Sequence, residues 1–223
     1  MKKQSGFTLI ELAIVLVIIG LLLGGVLKGQ ELVVEARIKN VIGDLNGVSS
    51  AIFSYQDRYR AVPGDDLGAA ARWAAAPAAI NGDGNGILAG LYNAVNAVPA
   101  AGQETNLFWD HLRRSGFVAG AGGLPPNNAA GGIVGVQTGD NLGGTVLATA
   151  VAGATGFSGT IVCLTNLPDK IAIAVDTKLD DGVANTGTIR GQLQAGPNPA
   201  IANIATAAYA ETGSNQYTIC KSI

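Results

Sequence analysis

Glu11 is the side chain with most to explain. It is the only charge between Lys3 and Lys28, inside an apolar run long enough to cross a bilayer core, for which about 20 residues suffice. A carboxylate in a spanning helix costs on the order of 2.5 to 3.5 kcal/mol at mid-membrane, so it needs a partner. Either it sits near the end of a lone helix, snorkelling or protonated, or it finds a positive charge on a neighbouring helix. Three further sets of residues have types that do chemistry. In Asn81-Gly82-Asp83-Gly84-Asn85-Gly86, oxygen ligands fall at alternate positions with a turn glycine in place, as in the first half of a calcium loop. The position where a bidentate Glu would close such a loop holds Tyr92, and Asn, Asp and Gly also build plain turns. His111 is the sole histidine, and no nucleophile or acid is singled out as its partner, so it reads as structural. Cys163 and Cys220 lie far from the apolar run. They fall outside the cytoplasm if the Lys-rich end stays inside; there a disulfide is the economical reading and two free buried thiols the alternative.

The elements that position these groups begin with one long helix. After Lys28, apolar residues continue as Val34, Ile38, Val41, Leu45, Val48, Ile52, Tyr55 and Tyr59, in alternating steps of four and three that mark one buried stripe. Pro63-Gly64 ends the pattern. A helix from Thr8 to Arg60 would run about 80 Å, greasy all round in its first half and amphipathic in its second. Gly20 and Gly24 are spaced for close helix–helix approach.

The residues Gly6-Phe7-Thr8-Leu9-Ile10-Glu11, behind a Lys2-Lys3 leader, resemble the class III signal of type IV pilins and type II secretion pseudopilins. An ordinary secretory signal is cleaved after its apolar region and loses it. The resemblance instead places cleavage before that region, between Gly6 and Phe7, by a prepilin peptidase that also N-methylates Phe7. It implies that Glu11 pairs with the amine of Phe7 on an adjacent subunit, and that Gly20 and Gly24 lie in a bundle of such helices. The family often has a proline where this chain has Lys28, which puts local unwinding of the helix in doubt. The Cys163–Cys220 pair adds to the likeness, because these pilins commonly staple their C-terminal region. Some pseudopilins bind calcium, but in a later loop, so the resemblance transfers no ligand role to Asn81, Asp83 or Asn85.

In the head, residues 107–114 read as a short helix with Gly116 as its stop, and Phe108 and Trp109 as core. From Ser115 to Pro168 the only charge is Asp140, and this stretch reads as extended loops lying on the head or against another subunit. Alternation predicts strands at 160–164, 170–176, 188–193 and 217–220. They form an antiparallel sheet that buries the helix stripe, with the cysteines tying the last strand to the first. Asp180-Asp181-Gly182 opens an acidic turn between strands.

The fold class is therefore α+β: a long N-terminal helix, transmembrane then amphipathic, packed on a C-terminal antiparallel sheet. The divisions are a leader (1–6), a membrane and assembly segment (7–28), an amphipathic segment (29–62), a connector (63–159) and a sheet region (160–223). Charged residues make up 13% of the chain and Gly numbers 32. Such a surface, poor in ion pairs, suits a subunit packed among neighbours. Removing Lys2 and Lys3 leaves 12 basic against 16 acidic side chains, a formal charge of −4, and no basic patch points to nucleic acid. One histidine and scattered acids offer no catalytic constellation. The resemblance implies a structural subunit of a type IV pilus-like filament, with a type II secretion pseudopilin as the alternative. Its partners would be copies of itself or homologous pilins, the prepilin peptidase, an inner-membrane platform with an ATPase, and lipid before assembly. It would reside in the inner membrane with its head outside the cytoplasm, then in a surface pilus or periplasmic pseudopilus. No cofactor is required, and calcium is the ion the 81–86 loop would take.

Overall fold

The computed structural model of the chain describes residues 8–139, 146–149 and 156–223. Helix α1 (Leu9–Tyr59) is continuous over 51 residues, about 76 Å, and passes through Lys28 without a break. It starts at Thr8, whose extended backbone and side chain cap it, and ends at Arg60, which takes a left-handed conformation (φ 55°) and donates its N–H to Gln56 O. Every residue from Leu9 to Val33 is exposed, whereas Ile38, Val41, Leu45, Val48, Ile52 and Tyr55 are buried. The stripe read from the sequence is thus the surface that meets the head. Each such side chain contributes on the order of 1.5 to 3 kcal/mol when fully buried.

The short helix α2 (Ala69–Arg72) and helix α3 (Glu104–Arg114) follow. At the end of α3, Phe117 N–H bonds Leu112 O and Gly116 N–H bonds Arg113 O. Gly116 has φ 81°, which completes a Schellman stop. Phe108 and Trp109 are buried in the core.

Strands β1 (Val134–Thr138), β2 (Thr160–Pro168), β3 (Ile189–Leu193) and β4 (Gln216–Ser222) form one antiparallel sheet in the order β1-β2-β4-β3. Alternation along the strands separates two cores. Val134, Val136, Val162, Leu164, Tyr217 and Ile219 face the α1 stripe. On the far face Ile133, Ile161, Cys163 and Cys220 pack with Tyr92, Leu147 and Phe157. Loops that carry Tyr92, Leu147 and Phe157 cover that second face.

Two expectations for the head are corrected. Residues 170–176 belong not to a strand but to helix α4 (Asp169–Leu179). Its β-branched residues mimic alternation, yet its buried positions, Ile171, Ala172, Val175 and Asp176, follow a helical spacing. Pro168 sits at its N-cap, and Asp169 accepts the N–H groups of Lys170, Thr212 and Gly213. The second correction is β1, which lies within the stretch read as loop. Its run Ile133-Val134-Gly135-Val136-Gln137-Thr138 carries the β-branched signal that the surrounding glycine and alanine obscure.

Candidate functional site

The membrane-facing end of α1 is built from its cap outward. Glu11 Oε2 accepts the backbone N–H and the hydroxyl of Thr8, each at 2.8 Å, while Glu11 N–H points to Thr8 Oγ1 at 3.4 Å. Thr8 and Glu11 form a capping box, which satisfies donors that a helix start otherwise leaves open. The Thr-x-x-Glu spacing was legible in the sequence, but Thr8 was not singled out there. Gly6 and Phe7 lie outside the described residues. Gly20 and Gly24 stand one turn apart, with nothing within 4 Å of where a side chain would begin. The segment is long and apolar enough to cross a membrane, and none of its apolar window is buried in the fold. A rod of about 25 residues, near 38 Å long, therefore projects from the head with Glu11 close to its tip and Glu31 paired with Lys28 near its base.

Residues 1–27 match the family model described as the prokaryotic N-terminal methylation motif. The chain carries a class III prepilin-type signal. That signal belongs to type IV pilins and pseudopilins, and with it come processing by a prepilin peptidase and assembly with other pilins. The prepilin-type signal and the exposed apolar helix behind it together fit inner-membrane anchoring. Pilins and pseudopilins are structural subunits rather than enzymes. No curated protein matches the chain.

The head side of the site is the staple. Cys163 and Cys220 face each other across β2 and β4 and are joined by a disulfide. Both are buried on the sheet face turned away from α1, so the bond locks the two central strands without touching the helix.

The 81–86 loop is organised around a residue that the sequence reading passed over. Asp65, six residues past the end of α1, accepts the N–H groups of Gly84, Asn85 and Gly86 at 2.5, 3.1 and 2.7 Å. Such a run of N–H groups is an anion-binding concavity, here filled by the protein's own carboxylate. Asn81 Oδ1 accepts from Ala70 N–H and Asn85 Oδ1 from Ile87 N–H. Asp83 accepts the N–H and the side-chain amide of Asn85. Asp83 and Asn85 are thus bonded to each other, while the Asn81 oxygen is turned to Ala70. Asp83 also lies with Asp65 and Glu104, one carboxylate oxygen of each within 4.8 Å of the others. Burial raises the pKa of Glu104 and its neighbours Asp65 and Asp83 add to the rise, opposed by the N–H groups of Ala89 and Asp83.

His111 is a packed structural group. Gly64 N–H donates to its Nδ1 at 3.0 Å, which leaves the proton on Nε2, 2.8 Å from Ile80 O. Gly64 (φ 90°) approaches α3 so closely that a Cβ would lie 2.5 Å from Glu104 O. The imidazole stacks on Tyr55 at 6.3 Å and so ties the connector to the last turns of α1.

Proposed function

We propose that this chain is a structural subunit of a type IV pilus-like filament, polymerised through α1 after cleavage between Gly6 and Phe7 and methylation of Phe7. One observation carries the reading: Glu11 stands near the tip of an apolar rod that is exposed on every side. A bilayer accepts the rod's side chains but not the carboxylate. A bundle of parallel copies accepts both, because each helix brings a terminal amine next to a neighbour's Glu11. Gly20 and Gly24 allow the backbones of such a bundle to approach. The four-stranded head, stapled at Cys163–Cys220, then forms the outer layer.

Mass spectrometry of filaments sheared from cells tests this. The expected product is a mature chain beginning with methylated Phe7. Recovery of the chain only in membranes, with no filament under any expression condition, overturns the reading. The same sheared fraction separates pilus from pseudopilus, since a periplasmic pseudopilus is not released from intact cells by shear.

A further inference from the structure

A groove of about 530 Å³ opens on the head at the end of α1 farthest from the membrane segment. Pro77, Ala78 and Ile80 line it together with Ala97, Val98 and Pro99. Its place is fixed by the Ile80 carbonyl on His111 and by Ala79 N–H on Trp73 O at 2.9 Å. The Trp73 ring lies edge-on to Tyr59, the final residue of α1, at 5.6 Å. Val98 is 80% exposed at the rim. Arg113 and Arg114 stand at one margin with a single carboxylate between them. Arg114 Nε donates to Asp110 at 2.6 Å, while Arg113 donates to the carbonyls of Ala119 and Gly122. The groove is thus apolar with an excess of positive charge at its edge.

The opposite end of the head carries the complement. Lys178 Nζ meets Glu35 Oε2 at 2.9 Å, and α1 is exposed up to Val33, so this ion pair marks the membrane-proximal margin of the head. Just beyond it the chain turns through Asp180-Asp181-Gly182-Val183. Asp181 is exposed and accepts Val183 N–H at 2.9 Å, which shapes a tight acidic turn with Val183 at its tip, 42% exposed. From Glu35 to Tyr59 is about 36 Å along α1, so a molecule cannot bring this loop to its own groove. In a stack of parallel helices the proximal margin of one head faces the distal end of another, a head-to-tail contact that repeats without closing.

We propose that the groove of one copy receives the 180–183 loop of a second copy, with Val183 against the Pro77–Val98 walls and Asp181 beside Arg113 and Arg114. This rests on the filament reading. The contact adds a docking point between heads to the helix bundle, and it sets the axial spacing of neighbouring heads.

The test is a full-length Val98→Cys/Val183→Cys chain expressed in cells, with sheared filaments run on non-reducing gels beside each single variant. The expected result is a ladder of dimers, trimers and higher species that requires both cysteines and disappears on reduction. Filaments at wild-type yield without a ladder overturn the contact while leaving the filament reading intact. Dimers from Val98→Cys alone, with no higher species, also overturn it, since the groove would then meet its own copy. If the wild-type chain yields no filaments, the filament reading fails first and the contact falls with it.

Discussion

Glu11 closes on Thr8 of its own helix, taking both the backbone N–H and the hydroxyl of that residue on one oxygen, Oε2. Among the described residues the second carboxylate oxygen accepts no hydrogen bond, so one side chain can cap its own helix and still present charge to a neighbour. The two roles are separable by substitution. Gln at this position keeps the capping box but carries no charge.

Glu11→Gln is expected to be processed and methylated normally, to keep a helix that begins at Leu9, and to enter filaments poorly. Glu11→Ala should fail equally in assembly. The measurement is filament yield against the processed fraction in the membrane. Wild-type yield from Glu11→Gln would mean that the cap, and not the countercharge, is what assembly needs.

Thr8→Ala tests the cap from the other side. Losing a Thr N-cap costs about 1 kcal/mol, so the first turn of α1 should fray, with faster amide exchange at the first few residues. The head should melt at its usual temperature, because nothing in its core touches Thr8.

The Cys163–Cys220 bond, with a sequence separation of 57 residues, is expected to contribute about 4 kcal/mol on the chain-entropy account. Denaturant unfolding of the full chain in detergent, with and without a thiol reductant, measures it. An unchanged midpoint after verified reduction would show that the sheet holds without the staple.

His111 gives the head an acid limit. Burial pushes its pKa below the ordinary 6.5, opposed by the Ile80 carbonyl and Asp110, while Arg72 and Arg114 lower it further. The unfolded chain therefore takes up the proton first. The stability this group contributes is present above pH 6.5 and is lost as pH falls below it. His111→Ala leaves Gly64 N–H and Ile80 O without partners, at about 1 to 3 kcal/mol each. It should lower stability at neutral pH and flatten the dependence between pH 5 and 7.

Asp176 acts with the opposite sign. Burial pushes its carboxyl up from 3.8 to about 6, helped by Asp181 and Asp180 and opposed by the Tyr209 hydroxyl and Gly182 N–H. The folded head holds this proton more tightly than the unfolded chain does, so stability from Asp176 declines as pH rises through about 4 to 6. Asp176→Asn should remove that decline. In the variant, unfolding free energy should rise with pH across the window more steeply than in wild type.

The membrane rod was legible because its determinants are local. Twenty-odd apolar residues and a single acid behind a short basic leader are properties of a contiguous stretch. The 4-3 spacing from Val34 to Tyr59 announces one buried face whatever lies against it. The helical stop at Gly116 and the burial of Phe108 and Trp109 were readable for the same reason. Helix α4 was not, because Ile171, Ile173 and Val175 satisfy a period of two as well as they satisfy a helix. The choice between them fell to packing of Ile171, Ala172 and Val175 against the core.

The sequence by itself determined the processing signal, the length of α1, the stripe it buries and the pair of cysteines available to be joined. Each is written in residues that are neighbours along the chain or recur at a fixed period. Only the tertiary structure decided that Asp65 holds the 81–86 loop, that Asp83 lies beside Asp65 and Glu104, and that the Arg113 groove and the Asp181 turn sit at opposite ends of the head. Those relationships join residues tens of positions apart, and a folded backbone is what sets the distance between them.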